Sequence, residues 1–331
     1  GRILTQDTQS NLEAGIDRYC QLLATRSSGS SLPTWQQFPE SNRAEFYGQL
    51  ADRLNRRGQH SGAAILYRMA LILSPGDAQL TEGLNKALLK HRQIQAQIDR
   101  YRQAIPSDPQ NSQLQVQLAN LLANQGYIEE SQTYHRRVFE LVQWEQALTR
   151  NYEFTSNWLT NNLPHWQQHL QPWIEQPGVQ ALEIGSYQGM STCWLLDRVL
   201  THSSSRITCI DLYFQDEFYT NLDKARAGDR VIQLTGKSVN VLRSLPSQAY
   251  DFIYIDGSHL ALDAFSDALL SWPLLKVGGL LMFDDYKFTD VNNPFEDTQI
   301  GIDSFIELFA GQIEIIYKQY QLFLTKLEEK P

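Results

Sequence analysis

Four groups of residues in this 331-residue sequence have the types and spacing for chemistry. Ile255-Asp256-Gly257-Ser258-His259 and Asp284-Asp285-Tyr286 each close an apolar run that reads as a buried strand. Neighbouring strand ends in a parallel sheet point at one crevice, so Asp256, Asp284 and Asp285 would meet there. Three carboxylates that close repel one another unless a cation lies between them. All-oxygen ligands favour Mg²⁺ over zinc. The third group is Ala181-Leu182-Glu183-Ile184-Gly185-Ser186-Tyr187-Gln188-Gly189-Met190-Ser191, a short apolar run broken at Gly185 and Gly189 that continues as a helix from about Met190. A strand, a glycine turn and a helix N-terminus let a ligand approach bare backbone. The spacing is Gly-x-x-x-Gly, which argues against a dinucleotide pyrophosphate loop. It fits an amino-acid-and-nucleoside ligand, with Glu183 facing a cation. The fourth is Asp211, which closes Arg206-Ile207-Thr208-Cys209-Ile210 about twenty residues past the glycine turn, a place suited to accepting hydrogen bonds from ribose hydroxyls. Each group has a plain alternative. Asp256-Gly257 could be a turn, Asp284-Asp285 a cap, the glycine pair an ordinary strand-to-helix turn, and His259 the partner of a backbone carbonyl. Their convergence on one crevice is what favours a metal-assisted site.

The elements that must position these residues alternate strand and helix. Strands are expected at 181–185, 206–211, 231–234, 251–256 and 279–284, with helices at 190–200, 263–272 and near 300–309. Two further apolar runs, 314–317 and 321–325, lie too close for a helical crossover and should pair antiparallel. The expected architecture is α/β: a Rossmann-like, doubly wound, seven-stranded sheet with an antiparallel end.

This half, about 150–331, resembles the class I S-adenosylmethionine-dependent methyltransferases. The Glu183-x-Gly185-x-x-x-Gly189-x-Ser191 loop, Asp211 and the terminal hairpin carry the resemblance. Within that class it looks like the catechol-type O-methyltransferases, and more so the macrocin type. In the catechol type an Asp ends strand four, a basic catalytic residue lies three positions later, and an Asp-Asn pair ends strand five. Asp256, His259 and Asp284-Asp285 stand in those places, with His for Lys and Asp for Asn. The resemblance implies S-adenosylmethionine as donor, contacted by Glu183, Gly185, Tyr187, Gly189, Ser191, Asp211 and Ser238. Tyr187 and Ser191 would lie near its methionine portion and Ser238 near its adenine. It further implies Mg²⁺ on Asp256, Asp284 and Asp285, with Asp256 and His259 catalytic. His259, neutral near pH 7, would take the proton of an acceptor hydroxyl. The acceptor would be a small or carrier-bound molecule such as a sugar or phenol. Two other readings stay open: metal-free N- or C-methylation on the same fold, and a non-catalytic scaffold with a vestigial pocket.

The N-terminal half carries a different pattern. Residues 9–25 read as an amphipathic helix, and 27–33 as a loop or linker. Leu50-Ala51, Leu54, Gly58, Ala63, Tyr67, Ala70 and Pro75 then fall at the offsets of a helix–turn–helix repeat of about 34 residues. Leu84, Leu88, Tyr101, Ala104 and Pro109 match one period on, and Leu118-Ala119, Leu122 and Gly126 two periods on. Arg92 replaces the turn Gly of the middle copy. Ser131, His135 and Val138 replace Ala, aromatic and Ala in the last. The pattern resembles tetratricopeptide repeats over 44–145, which implies a groove for a peptide or protein, or else a cap or self-association surface for the second domain. The expected division is 1–43 helix and linker, 44–145 repeats, 146–178 connecting helices and 179–331 methyltransferase domain. Trp158, Asn162 and Trp166 fall four apart in the connecting segment and would share one helical face. That face serves either interdomain packing or a lid.

A formal charge of −9, with Lys and Arg dispersed, speaks against a nucleic-acid partner. Cys20, Cys193 and Cys209 lie far apart, outside any disulfide or zinc spacing. No run approaches the ~20 apolar residues of a membrane span. A cytoplasmic enzyme without membrane contact is expected.

Overall fold

In the computed structural model, which describes residues 40–56, 58–290 and 293–328, three helices open the chain: α1 (Glu40–Arg56), α2 (His60–Leu73) and α3 (Ala78–Ala104). The helix expected at 9–25, the linker after it and Cys20 lie outside the described residues. Two compact units are present, the first running to Arg100 with Asn124–Gly126, the second comprising Tyr101–Ala123 and the chain from Tyr127. In the first, Ala51, Ala63 and Ala70 are fully buried where α1 and α2 meet. Tyr67 fills the gap beside them and donates its hydroxyl hydrogen to Asp52. Alanines allow close helix approach, and one ring then fills the remaining volume.

The middle copy of the repeat departs from expectation. Where the period calls for a turn at Arg92, α3 runs unbroken through 27 residues. The stretch from Leu84 to Ile98 contains no Gly or Pro and is rich in Leu, Lys, Gln, Arg and Ala, all good helix formers. Nothing in it can stop a helix, whatever the spacing of its apolar residues. In the second unit, α4 (Ser112–Asn124) and α5 (Ile128–Leu141) do form a hairpin. Ser131, His135 and Val138 are all buried there, and Ser131 Oγ donates to the Ala119 carbonyl at 2.8 Å.

Short helices α6 (Glu145–Thr149) and α7 (Leu163–His169) lead into the sheet. Trp158 and Trp166 do not share a face. Only 163–169 is α-helical here, and Trp158 is 68% exposed while Trp166 is fully buried. The sheet has seven strands: β1 (Gln180–Ile184), β2 (Arg206–Asp211), β3 (Val231–Thr235), β4 (Tyr250–Ile255), β5 (Leu275–Phe283), β8 (Ile313–Lys318) and β9 (Leu322–Lys326). A separate ribbon pairs β6 (Thr289–Asp290) with β7 (Asn293–Asp297). The order in the main sheet is β3-β2-β1-β4-β5-β9-β8, parallel through the first five, with β9 antiparallel to both β5 and β8. This is the expected doubly wound sheet with an antiparallel end. Helices α8 (Met190–Arg198), α9 (Asp216–Ala225), α10 (Ser238–Val241), α11 (Ala261–Ser271) and α12 (Thr298–Leu308) connect the strands.

Strand alternation sorts the core into two layers. Ala181, Phe252, Tyr254, Leu280 and Met282 face one side, packed with α8 and with Phe139, Trp144, Phe154 and Trp166. Leu182, Ile184, Ile253, Ile255, Leu281 and Phe283 face the other, packed with α11 and α12. No helix among the described residues is long and apolar enough to cross a membrane.

Candidate active site

The site begins where β1 and β4 end side by side, with Ile184 opposite Ile255. Gly185 follows at φ +85°, and a Cβ there would lie 1.9 Å from the Asp256 carbonyl oxygen. Only glycine lets the two chains pass that close. Gly189, at φ +78°, stands at the N-terminus of α8. Between them the Ser186 and Tyr187 N–H groups donate to Asp211 Oδ2 at 2.9 and 3.2 Å, and the Tyr213 N–H donates to Oδ1 at 3.1 Å. Asp211 therefore braces the glycine loop besides standing at the cavity wall.

Glu183 does not take the place expected of it. It is fully buried under the loop and meets no cavity. Ser186, Ser191 and Thr192 donate their hydroxyl hydrogens to its carboxylate, Ser186 at 2.7 Å, and the Cys209 thiol sits 3.4 Å away. Strand alternation sends Glu183 into the layer under α8, where burial raises its pKa. It ties β1 to the start of α8.

A cavity of about 960 Å³ opens over these strand ends. Such a volume lies within the range of small-molecule sites, roughly 300–1,000 Å³. Of the residues expected to bind a donor, Gly185, Tyr187, Ser191, Asp211 and Ser238 line it, and Gly189 and Glu183 do not. Asp256 lines it as well. Phe154, Trp158 and Leu159 form part of the wall, so the connecting segment contributes to the cavity as well as to packing.

Asp256, Asp284 and Asp285 come together as the strand ends require. One oxygen from each lies within 4.8 Å of the others. Burial, then the charges of Asp284 and Asp285, drive the Asp256 pKa well above the usual carboxylate range. Burial and Asp285 push Asp284 up to about 7. Each acid also has a donor behind it. The Tyr254 hydroxyl reaches Asp256 Oδ2 at 3.1 Å, the Tyr320 hydroxyl reaches Asp285 Oδ1 at 2.8 Å, and Gln321 Nε2 donates to Asp284 Oδ1. Three converging carboxylate oxygens, strained by mutual repulsion, are a donor set suited to a hard divalent cation.

His259 lies beside this trio but not free within it. Its Nε2 is 3.0 Å from Asp285 Oδ2, and its ring packs at a tilt against Phe288 with centroids 4.2 Å apart. The hydrogen bond to Asp285 raises its pKa against the opposing effect of burial. The imidazole expected from the sequence to be neutral near pH 7 is instead hydrogen-bonded to an acid that favours its charged form.

Tyr254, Tyr320, Gln321 and Asp267 were not marked by the sequence pattern. Tyr254 was legible in principle, since alternation along Phe252, Tyr254 and Asp256 places them on one side. Asp267, on α11, is buried at the cavity wall, takes a hydrogen bond from Ser238, and is pushed by burial up to about 6. Nothing in a single sequence signals that helix face as part of a site.

Residues 182–286 match the model of a family described as a methyltransferase domain. None of the curated proteins compared with the chain matches it. Among solved structures, a protein from Corynebacterium glutamicum is similar at 21% identity, over 50% of this chain and 82% of that one, with a TM-score of 0.41. An O-methyltransferase from Bacillus cereus, in complex with SAH, is similar at 20% identity, over 57% and 90%, with a TM-score of 0.42. The MycE methyltransferase of the mycinamycin pathway, in complex with Mg, SAH and mycinamycin VI, is similar at 16% identity, over 61% of this chain and 60% of that one, with a TM-score of 0.42. With the sheet order and the cavity at the glycine loop, the family match marks residues 182–286 as similar to a methyltransferase domain.

Proposed function

We propose that this domain moves the methyl group of S-adenosylmethionine to a hydroxyl oxygen, with a divalent cation on Asp256, Asp284 and Asp285 and with His259 as the base. The observation that carries the reading is the convergence of the three carboxylates within 4.8 Å at the edge of the donor cavity. When bound, a divalent cation supplies the charge that lets the three acids coexist and lowers the pKa of a hydroxyl next to it. The chain's own residues do the rest. The glycine loop, Asp211 and Ser238 line the cavity and would hold the donor there, and positioning it against the acceptor would contribute to the rate. Asp285 accepts from His259 Nε2–H, which leaves Nδ1 as the atom able to take a proton. Exposed Trp158, with Phe154 and Leu159, offers apolar contact to the acceptor.

Labelled S-adenosylmethionine, tested against hydroxyl, amine and carbon acceptors with and without EDTA, checks this. The expected outcome is hydroxyl methylation that EDTA stops and Mg²⁺ restores. His259→Ala should lower turnover by about 10²- to 10⁴-fold at unchanged donor affinity. Turnover indifferent to both EDTA and His259→Ala would rule the mechanism out. Methylation confined to amines or carbon would move the acceptor.

A further inference from the structure

We infer that Gln321, held by Trp166, is a positioning residue for Asp284 and so for the cation site; this rests on the metal reading above. β5 and β9 pair antiparallel with Phe283 opposite Leu322. One step further along that register, Asp284 leaves β5 as Gln321 enters β9, so the terminal hairpin delivers an amide to the acid at the strand end. Gln321 Nε2 donates to Asp284 Oδ1, and Trp166 Nε1 donates to Gln321 Oε1 at 3.0 Å. All three side chains are buried, Trp166 and Gln321 almost completely.

The orientation of this amide follows from chemistry. An indole N–H can only donate, so it must meet the amide oxygen. The amide N–H₂ then has to face Asp284. A flipped amide would set two donors against each other at Trp166 and two acceptors against each other at Asp284. Trp166 itself is fixed by its neighbours, edge-on to Tyr254 with centroids 4.7 Å apart and to Trp194 at 5.7 Å. Tyr254 is also the residue whose hydroxyl reaches Asp256. The indole therefore braces two of the three acids, one through Gln321 and one through the ring of Tyr254. Gln321 adds a donor without adding charge, which fixes the orientation of the carboxylate. Outer partners of this kind set ligand orientation, and their loss typically weakens metal affinity by about 10- to 100-fold.

Mn²⁺ titrated alone into the full chain, followed by calorimetry or paramagnetic resonance, tests the relay. Gln321→Met should weaken Mn²⁺ binding by about 10- to 100-fold, with S-adenosylmethionine affinity unchanged because neither Gln321 nor Trp166 lines the donor cavity. Trp166→Phe keeps most of the packing, removes only the donor, and should weaken Mn²⁺ by a smaller factor. The double variant should bind no more weakly than Gln321→Met, since both changes break one chain of contacts. Mn²⁺ affinity at the wild-type level in either single variant, or effects that simply add, overturns the relay while leaving the metal reading intact. A wild-type chain that binds no Mn²⁺ overturns both. If Gln321→Met does not fold, Trp166→Phe decides alone.

Discussion

Gly185 is the tightest point of the site, and its consequences can be stated at the level of one methyl group. A Cβ there would overlap the Asp256 carbonyl oxygen, and the residue's φ of +85° is one that side chains resist. Backbone strain of this kind costs about 1–3 kcal/mol before any clash is counted. Gly185→Ala should therefore lower the urea unfolding free energy by more than about 2 kcal/mol and push Asp256 out of register with Asp284. An unfolding midpoint equal to wild type, with unchanged donor affinity, would show that the two strand ends can separate freely. The residues at strand ends were readable from the sequence because an apolar run followed by a carboxylate or a glycine has few other meanings in a parallel sheet. Asp256, Asp284, Asp285, Gly185 and Asp211 all came from that rule. Glu183 did not follow the same logic. Its neighbours in sequence are the cavity's neighbours, but period-two alternation turned it into the layer beneath α8, where hydroxyls rather than a ligand satisfy it. The tie of His259 to Asp285 was equally out of reach, because it depends on the path of the loop between β4 and α11.

At the scale of elements, the repeat pattern and the helix boundaries obey different rules. Small residues at repeat offsets mark where helices pack, and Ala51, Ala63, Ala70, Ser131 and Val138 are all buried accordingly. Turns, however, need residues that interrupt a helix, and Arg92 cannot do so. Arg92 is an exposed mid-helix position in α3. Arg92→Gly should destabilise by about 1 kcal/mol and Arg92→Pro by about 3 kcal/mol, read as losses of unfolding free energy with a fall in helical circular dichroism for the proline. A neutral Arg92→Gly would indicate that the chain turns there after all. The sheet was legible strand by strand, since five apolar runs separated by helical stretches admit little else. The turn between β8 and β9 was not. Which residues it lays over the acids depends on register, and Tyr320 and Gln321 carry no local mark of that duty.

For the molecule as a whole, His135 makes stability depend on pH. Its ring is buried in α5 against Phe139, with centroids 6.4 Å apart, and neither nitrogen has a hydrogen-bond partner. Burial lowers its pKa from 6.5 to about 4. The folded chain then binds fewer protons than the unfolded chain between those values, so stability is retained above pH 6.5 and lost as pH falls toward about 4. The loss attributable to this ring is about 3 kcal/mol over that window. His135→Phe should remove that share, which is read as a shallower decline in the unfolding free energy from pH 7 to pH 4. An identical slope in variant and wild type would mean the ring finds a proton acceptor or water inside the fold.

The network around Asp197 ties the sheet to the chain that precedes it. This carboxylate, on α8, is buried and accepts from Trp144 Nε1 at 2.8 Å, from the Arg150 guanidinium and from the Tyr152 hydroxyl. A buried charge stripped of such partners costs about 3–5 kcal/mol. The stretch that family resemblance picks out and the stretch able to stand alone are therefore different lengths of chain. Severed ahead of β1, the catalytic part would be left with an orphaned anion and a bare apolar sheet face. A chain that keeps Trp144, Arg150 and Tyr152 should stay folded where one cut ahead of β1 does not.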